Sequence, residues 1–221
     1  MDYKYDIFIS YRHEKKVHKP WALDFVEKLK VFLVEELIST PRIFIDEEGI
    51  RTGDRWRRAL EEALGYSKIL IPIWSVSYFV ESEWCNKECA IMYYREMMLN
   101  EERRGRAPEG GAGAEPCRLL MPVRFMDGEN YPPFAKDIQQ FDCEIYNRAK
   151  RLSVGETKRF RAHMFHVKQW APQVKERLMS APPWDERWPT REWTEAALKH
   201  WDENADKFKP KPDPSPVRLT M

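Results

Sequence analysis

The residues best suited to chemistry are a tryptophan and a glutamate four positions apart, Trp84 and Glu88, within the segment WCNKE. In an α-helix, residues at this spacing project about 40° apart, one turn above each other. The spacing therefore places a carboxylate beside an indole ring. A carboxylate stabilises positive charge that develops in a reaction, and an indole excludes water and stacks on a ligand. The structural alternative is a solvated glutamate on an amphipathic helix, with the tryptophan packed in the core.

The segment before this pair predicts a buried strand that leads into a helix. Residues 69–74 form an apolar run bounded by polar residues and too short for a helix, which is typical of a strand buried on both faces. Pro72 cannot donate to a ladder and limits the pairing. A turn is predicted at 75–82, and a helical pattern continues to about Leu99. The tryptophan–glutamate pair thus lies near the mouth of a buried strand.

Alternating strands and helices predict the fold around the pair. Strands are predicted at 5–10, 42–45, 69–74, 119–123 and 141–146, with helical patterns at 20–37, 56–65 and, to close the domain, 160–179. Mostly apolar strands that alternate with helices are typical of a parallel sheet covered on both faces. For five such strands we expect the order 2-1-3-4-5, the flavodoxin-like arrangement of the α/β class.

The crevice between strands 1 and 3 is the predicted ligand site. In sheets of this order, ligands bind past the carboxyl ends of the strands, where the strand order reverses. Strand 1 delivers Ser10, Tyr11 and Arg12 to that crevice, and strand 3 delivers Trp74. The helix after strand 3 brings the tryptophan–glutamate pair to the same place. The alternatives are that Ser10 only hydrogen-bonds the strand end, and that Tyr11 or Arg12 only holds the loop.

Composition excludes several classes of protein. The 221 residues, 43% of them hydrophobic, can bury one core plus an appendage. The net charge of +1 gives no bulk attraction to a polyanion. Basic residues leave a nucleic-acid binder as a minor alternative, namely Arg148, Lys150, Arg151, Lys158, Arg159 and Arg161. No apolar run reaches the roughly 18 residues that span a bilayer, and the first residues lack a signal-peptide pattern. We therefore expect a cytoplasmic protein without membrane contact.

Cysteine and histidine spacing predicts neither a disulfide framework nor a metal site. The cysteines stand at positions 85, 89, 117 and 143, and the first two share a helical face with Met92, which favours core packing. His163 and His166 lack further ligands at a suitable spacing. His13 and His18 lie about 140° apart around a helix, so both cannot bind one metal there.

Four stretches of the chain resemble the TIR (Toll/interleukin-1 receptor) family. They are FISYRHE at 8–14, IFIDEEGIRTGDRW at 43–56, SKILIPIWSVSYFVESEWCNKE at 67–88 and MPVRF at 121–125. Together they span roughly residues 3–179, in the family's order and spacing. The resemblance implies the flavodoxin-like fold, and it implies one of two functions: an enzyme that splits NAD+, or a non-catalytic module that signals by TIR–TIR assembly.

The resemblance also assigns roles to residues. In the enzymatic members a glutamate lies four residues after a tryptophan on the helix after strand 3, which implies that Glu88 is catalytic here. The implied substrate contacts are Ser10, Tyr11, Arg12, Asp46, Trp74 and Trp84, although Asp46 is equally explained as a turn cap. NAD+ is the implied substrate, with no cofactor, and no G-x-G-x-x-G predicts a dehydrogenase-like site. The product is left open among linear ADP-ribose, a cyclic isomer and a base-exchanged nucleotide.

The loop after strand 2 carries the implied self-association. TIR enzymes complete their pocket with a neighbour's surface, often through this loop, which here holds Gly49, Ile50 and Gly53. Its glycines occur without the proline of the animal receptors, which favours the bacterial and plant branches. For a bacterial enzyme of this family, the resemblance implies a role in immune or cell-death signalling.

Two segments are expected to lie outside the sheet domain, which we place at residues 1–180. Residues 101–116 are glycine-rich and predict a flexible surface insertion. Residues 181–221 form an extension in which Trp193, Ala197 and Trp201 predict a helix with an aromatic stripe. That stripe must pack on the domain, on a second copy or on a protein partner. From residue 210 onwards the chain is expected to be extended or disordered.

Overall fold

A computed structural model describes residues 2–14, 16–37, 39–45, 54–106, 115–144 and 156–210, with the backbone alone at 54–57 and 156–161. The strands are β1 (Tyr5–Ser10), β2 (Ile43–Ile45), β3 (Ser67–Trp74), β4 (Val123–Arg124) and β5 (Phe141–Asp142). The helices are α1 (His18–Glu36), α2 (Asp54–Gly65), α3 (Val76–Glu81), α4 (Glu83–Arg106), α5 (Pro133–Lys136), α6 (Glu156–Met179), α7 (Arg191–Glu203) and α8 (Ala205–Phe208).

The strands form one parallel sheet in the order β2-β1-β3-β4-β5, which confirms the predicted fold class. In the register of the two central strands, Ile9 lies beside Ile71 and Ser10 beside Pro72. Trp74 lies beside Arg124 at the carboxyl end of the next pair. The carboxyl ends of β1 and β3 therefore meet at the point where the strand order reverses.

Residues alternate between the two faces of the sheet, and this alternation decides which side chains can meet. Ile7, Ile9 and Tyr11 are buried in the core that α1 and α6 cover. Phe8 is buried in the opposite core, against α2, α3 and α4. Because side chains alternate along a strand, Ser10 shares the face of Phe8 and points towards α3 and α4.

Two predicted boundaries are wrong for local reasons. The turn predicted at 75–82 is largely the short helix α3, because the Ser75 hydroxyl accepts the Tyr78 N–H at 3.1 Å as an N-cap. The strand predicted at 119–123 is instead an isolated bridge between Leu120 and Leu70 followed by β4. The pairing is interrupted opposite Pro72 of β3, because Pro72 has no N–H to donate after the Leu70–Met121 hydrogen bond.

Helix α4 extends further than predicted and takes in the first part of the expected surface loop. It ends at Arg106, in a run of glutamates and arginines that favour helix. Asn100 holds its flank, since its amide accepts the Cys117 N–H at 2.7 Å and donates to the Cys117 carbonyl at 2.9 Å. Residues 107–114 lie outside the described part of the chain, so their predicted flexibility stays a prediction. The last predicted strand, 141–146, is shorter than expected: β5 ends at Asp142, residues 143–144 are not in the strand, and 145–146 lie outside the described residues.

The aromatic stripe of the C-terminal extension packs on the chain itself. Ala197 and Trp201 are buried in the core of α4 and α5. The Trp201 ring stacks on Phe208 with centroids 3.8 Å apart and meets Phe134 edge-on at 5.1 Å. The stripe is thus covered within one molecule, and a partner at the extension stays a prediction, as does the domain boundary at 180.

A buried arginine fastens the extension to the sheet. Arg95 of α4 donates to the Ser67 carbonyl at 3.0 Å, and its guanidinium lies 3.7 Å from the centre of the Trp188 ring. Tyr3 donates to the Pro182 carbonyl at 2.8 Å. Burial lowers the pKa of Arg95 to about 10, so the group is still charged near neutral pH. Among the described helices, none has the length and apolar character needed to cross a bilayer.

Candidate active site

The structure brings the predicted catalytic residue into contact with the end of β1. Glu88 lies in the second turn of α4, and its Oε2 accepts a hydrogen bond from the Ser10 hydroxyl at 2.5 Å. Ser10 is buried, whereas Glu88 is partly exposed. Two candidates far apart in sequence therefore meet in the crevice between β1 and β3, and one carboxylate oxygen is held by a fixed donor.

Tyr78 extends this contact and is absent from the candidate set based on sequence. Its phenol oxygen lies 2.7 Å from the Ser10 hydroxyl and 3.0 Å from the Cys85 carbonyl oxygen, and its one proton can be donated to either. Burial raises the pKa of Tyr78 well above its ordinary value, so the phenol keeps its proton. The one sequence signal for Tyr78 is its position three residues after Ser75, whose hydroxyl caps α3 by accepting the Tyr78 N–H.

Trp84 lies beside Glu88 on α4, outside the buried core. Its indole is partly exposed, and the Lys87 ammonium lies 4.7 Å from the ring centre. Lys87 also pairs with Glu83 at 2.5 Å. Core packing therefore does not account for Trp84, and part of its ring surface is exposed on the same helix as Glu88.

Two predicted substrate contacts are buried instead. Tyr11 is 2% exposed and stacks on His13 with centroids 4.7 Å apart. Tyr11 lies two residues after Ile9 and therefore on the same face of the sheet, opposite to the face of Ser10. Trp74 has no exposed surface and meets Tyr131 edge-on at 6.0 Å. A substrate would have to uncover either side chain to touch it, so these two assignments stay predictions without support from the fold.

Arg12 lies at the rim of the crevice in an ion pair with Glu81 of α3. Both side chains are partly exposed, so a phosphate group could exchange with the Glu81 carboxylate. Nearby, the Glu14 carboxylate accepts the backbone N–H groups of Lys16 at 2.8 Å and Val17 at 2.7 Å, at the start of α1. These bonds lower the pKa of Glu14 to about 2. Glu14 thus has a structural role, which its place in the FISYRHE motif did not indicate.

The remaining predicted residues cannot be placed. Asp46, Gly49, Ile50 and Gly53 lie outside the described residues. Within the described ranges, no three His, Cys, Asp or Glu side chains are grouped to hold a metal ion. A cavity of about 790 Å³ lies beside β5 and α6, lined in part by Arg118, Phe141 and Trp170. Neither Ser10 nor Glu88 lines it, so the candidate site rests on the crevice geometry and not on that cavity.

Comparison with known proteins identifies the family. The family model described as "TIR domain" matches residues 7–152. The chain belongs to the TIR family. A curated relative, the probable 2′ cyclic ADP-D-ribose synthase BdTIR of Brachypodium distachyon, is 28% identical over 155 residues, which cover 70% of this chain and 59% of that protein. The chain thus spans less than two thirds of the length of that relative.

A solved structure is also similar to this TIR chain. It contains the TIR domains of the activated Roq1 resistosome, which directly recognises the pathogen effector XopQ. The sequences are 19% identical, the TM-score is 0.36, and the match covers 76% of this chain and 84% of the other. The matched residues 7–152 contain most of β1, all of β2 to β5 and the Ser10–Glu88 contact.

Proposed function

We propose that this TIR domain cleaves the bond between nicotinamide and ribose in NAD+, with Glu88 as the catalytic residue. The observation that carries the proposal is the partly exposed Glu88 carboxylate, held by Ser10 at 2.5 Å at the reversal point of the sheet. The relative named as a probable 2′ cyclic ADP-D-ribose synthase supports chemistry at an ADP-ribose centre. NAD+ is proposed as the substrate, with no resident cofactor.

The proposed reaction needs no general acid. The nicotinamide ring of NAD+ already carries a positive charge, so the C1′–N bond breaks with its electron pair passing to the ring nitrogen, and neutral nicotinamide leaves. The ribose becomes oxocarbenium-like as this bond stretches, and the anionic Glu88 stabilises that charge. Water, or a hydroxyl of the nucleotide itself, then attacks C1′ and loses a proton. The first yields linear ADP-ribose and the second a cyclic isomer.

The other crevice residues have supporting roles in this proposal. Ser10 fixes the orientation of the carboxylate, and the exposed face of Trp84 stacks on the ligand and limits water. Arg12 binds a phosphate after leaving Glu81. The positions of these groups support the proposal because all three lie on the elements that meet at the crevice.

The test is nicotinamide release by the purified protein. Glu88→Gln keeps the shape of the side chain but removes its charge, so we expect turnover to fall roughly a hundredfold or more with the fold intact. Glu101→Gln, an exposed position on the same helix, is the matched control and should keep the wild-type rate. Wild-type turnover in a folded Glu88→Gln protein would exclude Glu88 as the catalytic residue.

Self-association is a further part of the proposal. The TIR resemblance implies that the loop at 46–53 completes the pocket of a second copy, so specific activity should rise with protein concentration. Flat specific activity across a wide dilution series would show that one chain holds the whole site. If no nicotinamide is released at any concentration while the protein assembles, the alternative of a non-catalytic TIR–TIR module is favoured. A role in immune or cell-death signalling stays a prediction.

A further inference from the structure

Four oxygen atoms form a continuous chain between α3, β1 and α4. They belong to the Glu88 carboxylate, the Ser10 hydroxyl, the Tyr78 hydroxyl and the Cys85 carbonyl, with successive separations of 2.5, 2.7 and 3.0 Å. Ser10 is 1% exposed and Tyr78 has no exposed surface, so water does not compete for these bonds. The chain joins the strand end to the helix that carries the candidate catalytic residue.

The number of protons in this chain depends on the charge of Glu88. Three contacts need three protons, and the two hydroxyl groups supply two. When Glu88 is ionised it can only accept, so Ser10 donates to Glu88 and Tyr78 must turn its proton towards Ser10. The Cys85 carbonyl then accepts no hydrogen bond from Tyr78 and keeps its usual helical hydrogen bond, from the backbone N–H of the residue four positions further along the chain. When Glu88 is protonated, the third proton is present and the chain runs the other way, ending at the Cys85 carbonyl.

We infer that Tyr78 is a positioning residue for Glu88, which acts through Ser10 to hold the carboxylate as an anion in one orientation. With Glu88 ionised, both hydroxyl groups point their protons towards it. Hydrogen bonds aligned in this way polarise and strengthen one another in a buried site. The consequence of the Tyr78 contact for catalysis rests on the proposed NAD+ cleavage. The effect of Tyr78 on the ionisation of Glu88 does not rest on it.

The groups around this hydrogen-bonded chain allow the Tyr78 hydroxyl to keep the proton that it donates. From α4, the thiols of Cys85 and Cys89 lie close by; burial first, and the negative charge of Glu88 to a smaller extent, raise the pKa of both. The same two causes act on Tyr78 from α3. All three groups are therefore neutral near pH 7. Among the described residues, the charged and titratable pairs near this edge include Arg12 with Glu81, Lys87 with Glu83 and His18 with Glu14.

The experiment is a double-mutant cycle of Tyr78→Phe and Ser10→Ala read as a pH profile. The acid limb of kcat/KM reports ionisation of the essential carboxylate in the free enzyme. Tyr78→Phe keeps the buried ring, and we expect it to move that limb up by about one pH unit or less. Ser10→Ala should move it further. In the Ser10→Ala background, Tyr78→Phe should then have no additional effect, because Tyr78 acts through Ser10.

A second measurement does not depend on turnover. Carbon-13 NMR of protein labelled at glutamate carboxyls identifies the Glu88 resonance as the one lost in Glu88→Gln, and its titration midpoint should rise in Tyr78→Phe. A midpoint that shifts in a protein without NAD+ turnover would support the role of Tyr78 and refute the proposed function. An unmoved midpoint and acid limb in an active protein, or equal effects of Tyr78→Phe in both backgrounds, would overturn the inference.

If Tyr78→Phe does not fold, a site-specific 3-fluorotyrosine at position 78 keeps the test decisive. Its phenol is a stronger donor of the same shape, so the Glu88 midpoint should fall. An unchanged midpoint in the fluorinated protein would show that the Tyr78 hydroxyl does not act on the carboxylate.

Discussion

Gly65, the last residue of α2, lies against the backbone of Pro189 in the C-terminal extension. A β-carbon at Gly65 would lie 2.6 Å from the Pro189 Cα and 2.8 Å from its nitrogen, which is closer than real Cβ contacts come. The Trp184 indole also donates to the Gly65 carbonyl at 3.3 Å, and its ring stacks on Tyr66 at 5.2 Å. Gly65→Ala therefore has to push the extension away from α2 by about half an ångström in a tightly packed region.

Two opposing terms set the size of the effect. Overpacking that displaces backbone costs about 1–3 kcal/mol. Alanine is more favourable than glycine in a helix by about 0.5–1 kcal/mol. Since the Pro189 contact involves backbone atoms and not the end of a flexible side chain, the cost of overpacking should exceed the gain in helix propensity. We expect Gly65→Ala to lower the free energy of unfolding by about 1–2 kcal/mol.

The assay is urea unfolding of Gly65→Ala beside a matched variant, Gly105→Ala. Gly105 lies in α4, and a β-carbon there would meet nothing within 4 Å. The same substitution should therefore raise stability at Gly105, by up to about 1 kcal/mol, and lower it at Gly65. A Gly65→Ala protein as stable as the wild type, or more stable, would refute the docking of the extension on α2.

Two further predictions concern buried side chains. Burial, with Lys28 nearby, lowers the pKa of His163 from 6.5 to about 4, so the unfolded chain binds one more proton between these values. The free energy of unfolding should fall by about 3 kcal/mol as the pH drops through that range. In urea unfolding at several pH values, His163→Gln should make the free energy of unfolding depend less on pH. An equally steep pH dependence in His163→Gln would contradict this prediction. Trp188→Ala removes a ring that is 2% exposed and stacked on Arg95. It should cost about 3–5 kcal/mol in the same assay, and a loss below about 1 kcal/mol would contradict its burial.

The strand order was predictable because apolar runs alternate with helical patterns over most of the chain. The errors in the predicted boundaries arise where a single residue changes the local structure that the apolar pattern predicts. Pro72 of the neighbouring strand interrupts the pairing of the fourth strand, and the Ser75 cap converts a predicted turn into α3. The extra length of α4 is supported by Asn100, whose side-chain amide forms hydrogen bonds with the backbone of Cys117, 17 residues further along the chain. Such long-range bonds leave no periodic signal along the chain.

The candidate site was predictable in its location but not in its contacts. The reversal of strand order brings Ser10 and Glu88 into one crevice, as expected from the topology. The period of two along β1 would have separated Ser10 from Tyr11, since Tyr11 shares the parity of the buried Ile9. Tyr78 could not be predicted as a partner, because its contact depends on how α3 packs against β1, which is a tertiary property.

Arg95 has consequences for the order in which the chain can finish folding. Its contacts Tyr3 and Ser67 precede it in the chain, whereas Trp188 follows much later. During synthesis the sheet and α4 leave the ribosome before Trp188 does, and until then the face of the guanidinium that Trp188 covers stays in contact with water. The burial of Arg95 is therefore completed only after the extension is made. A chain that ends between these points can pack the rest of α4 on the sheet but leaves the outer face of this guanidinium in water.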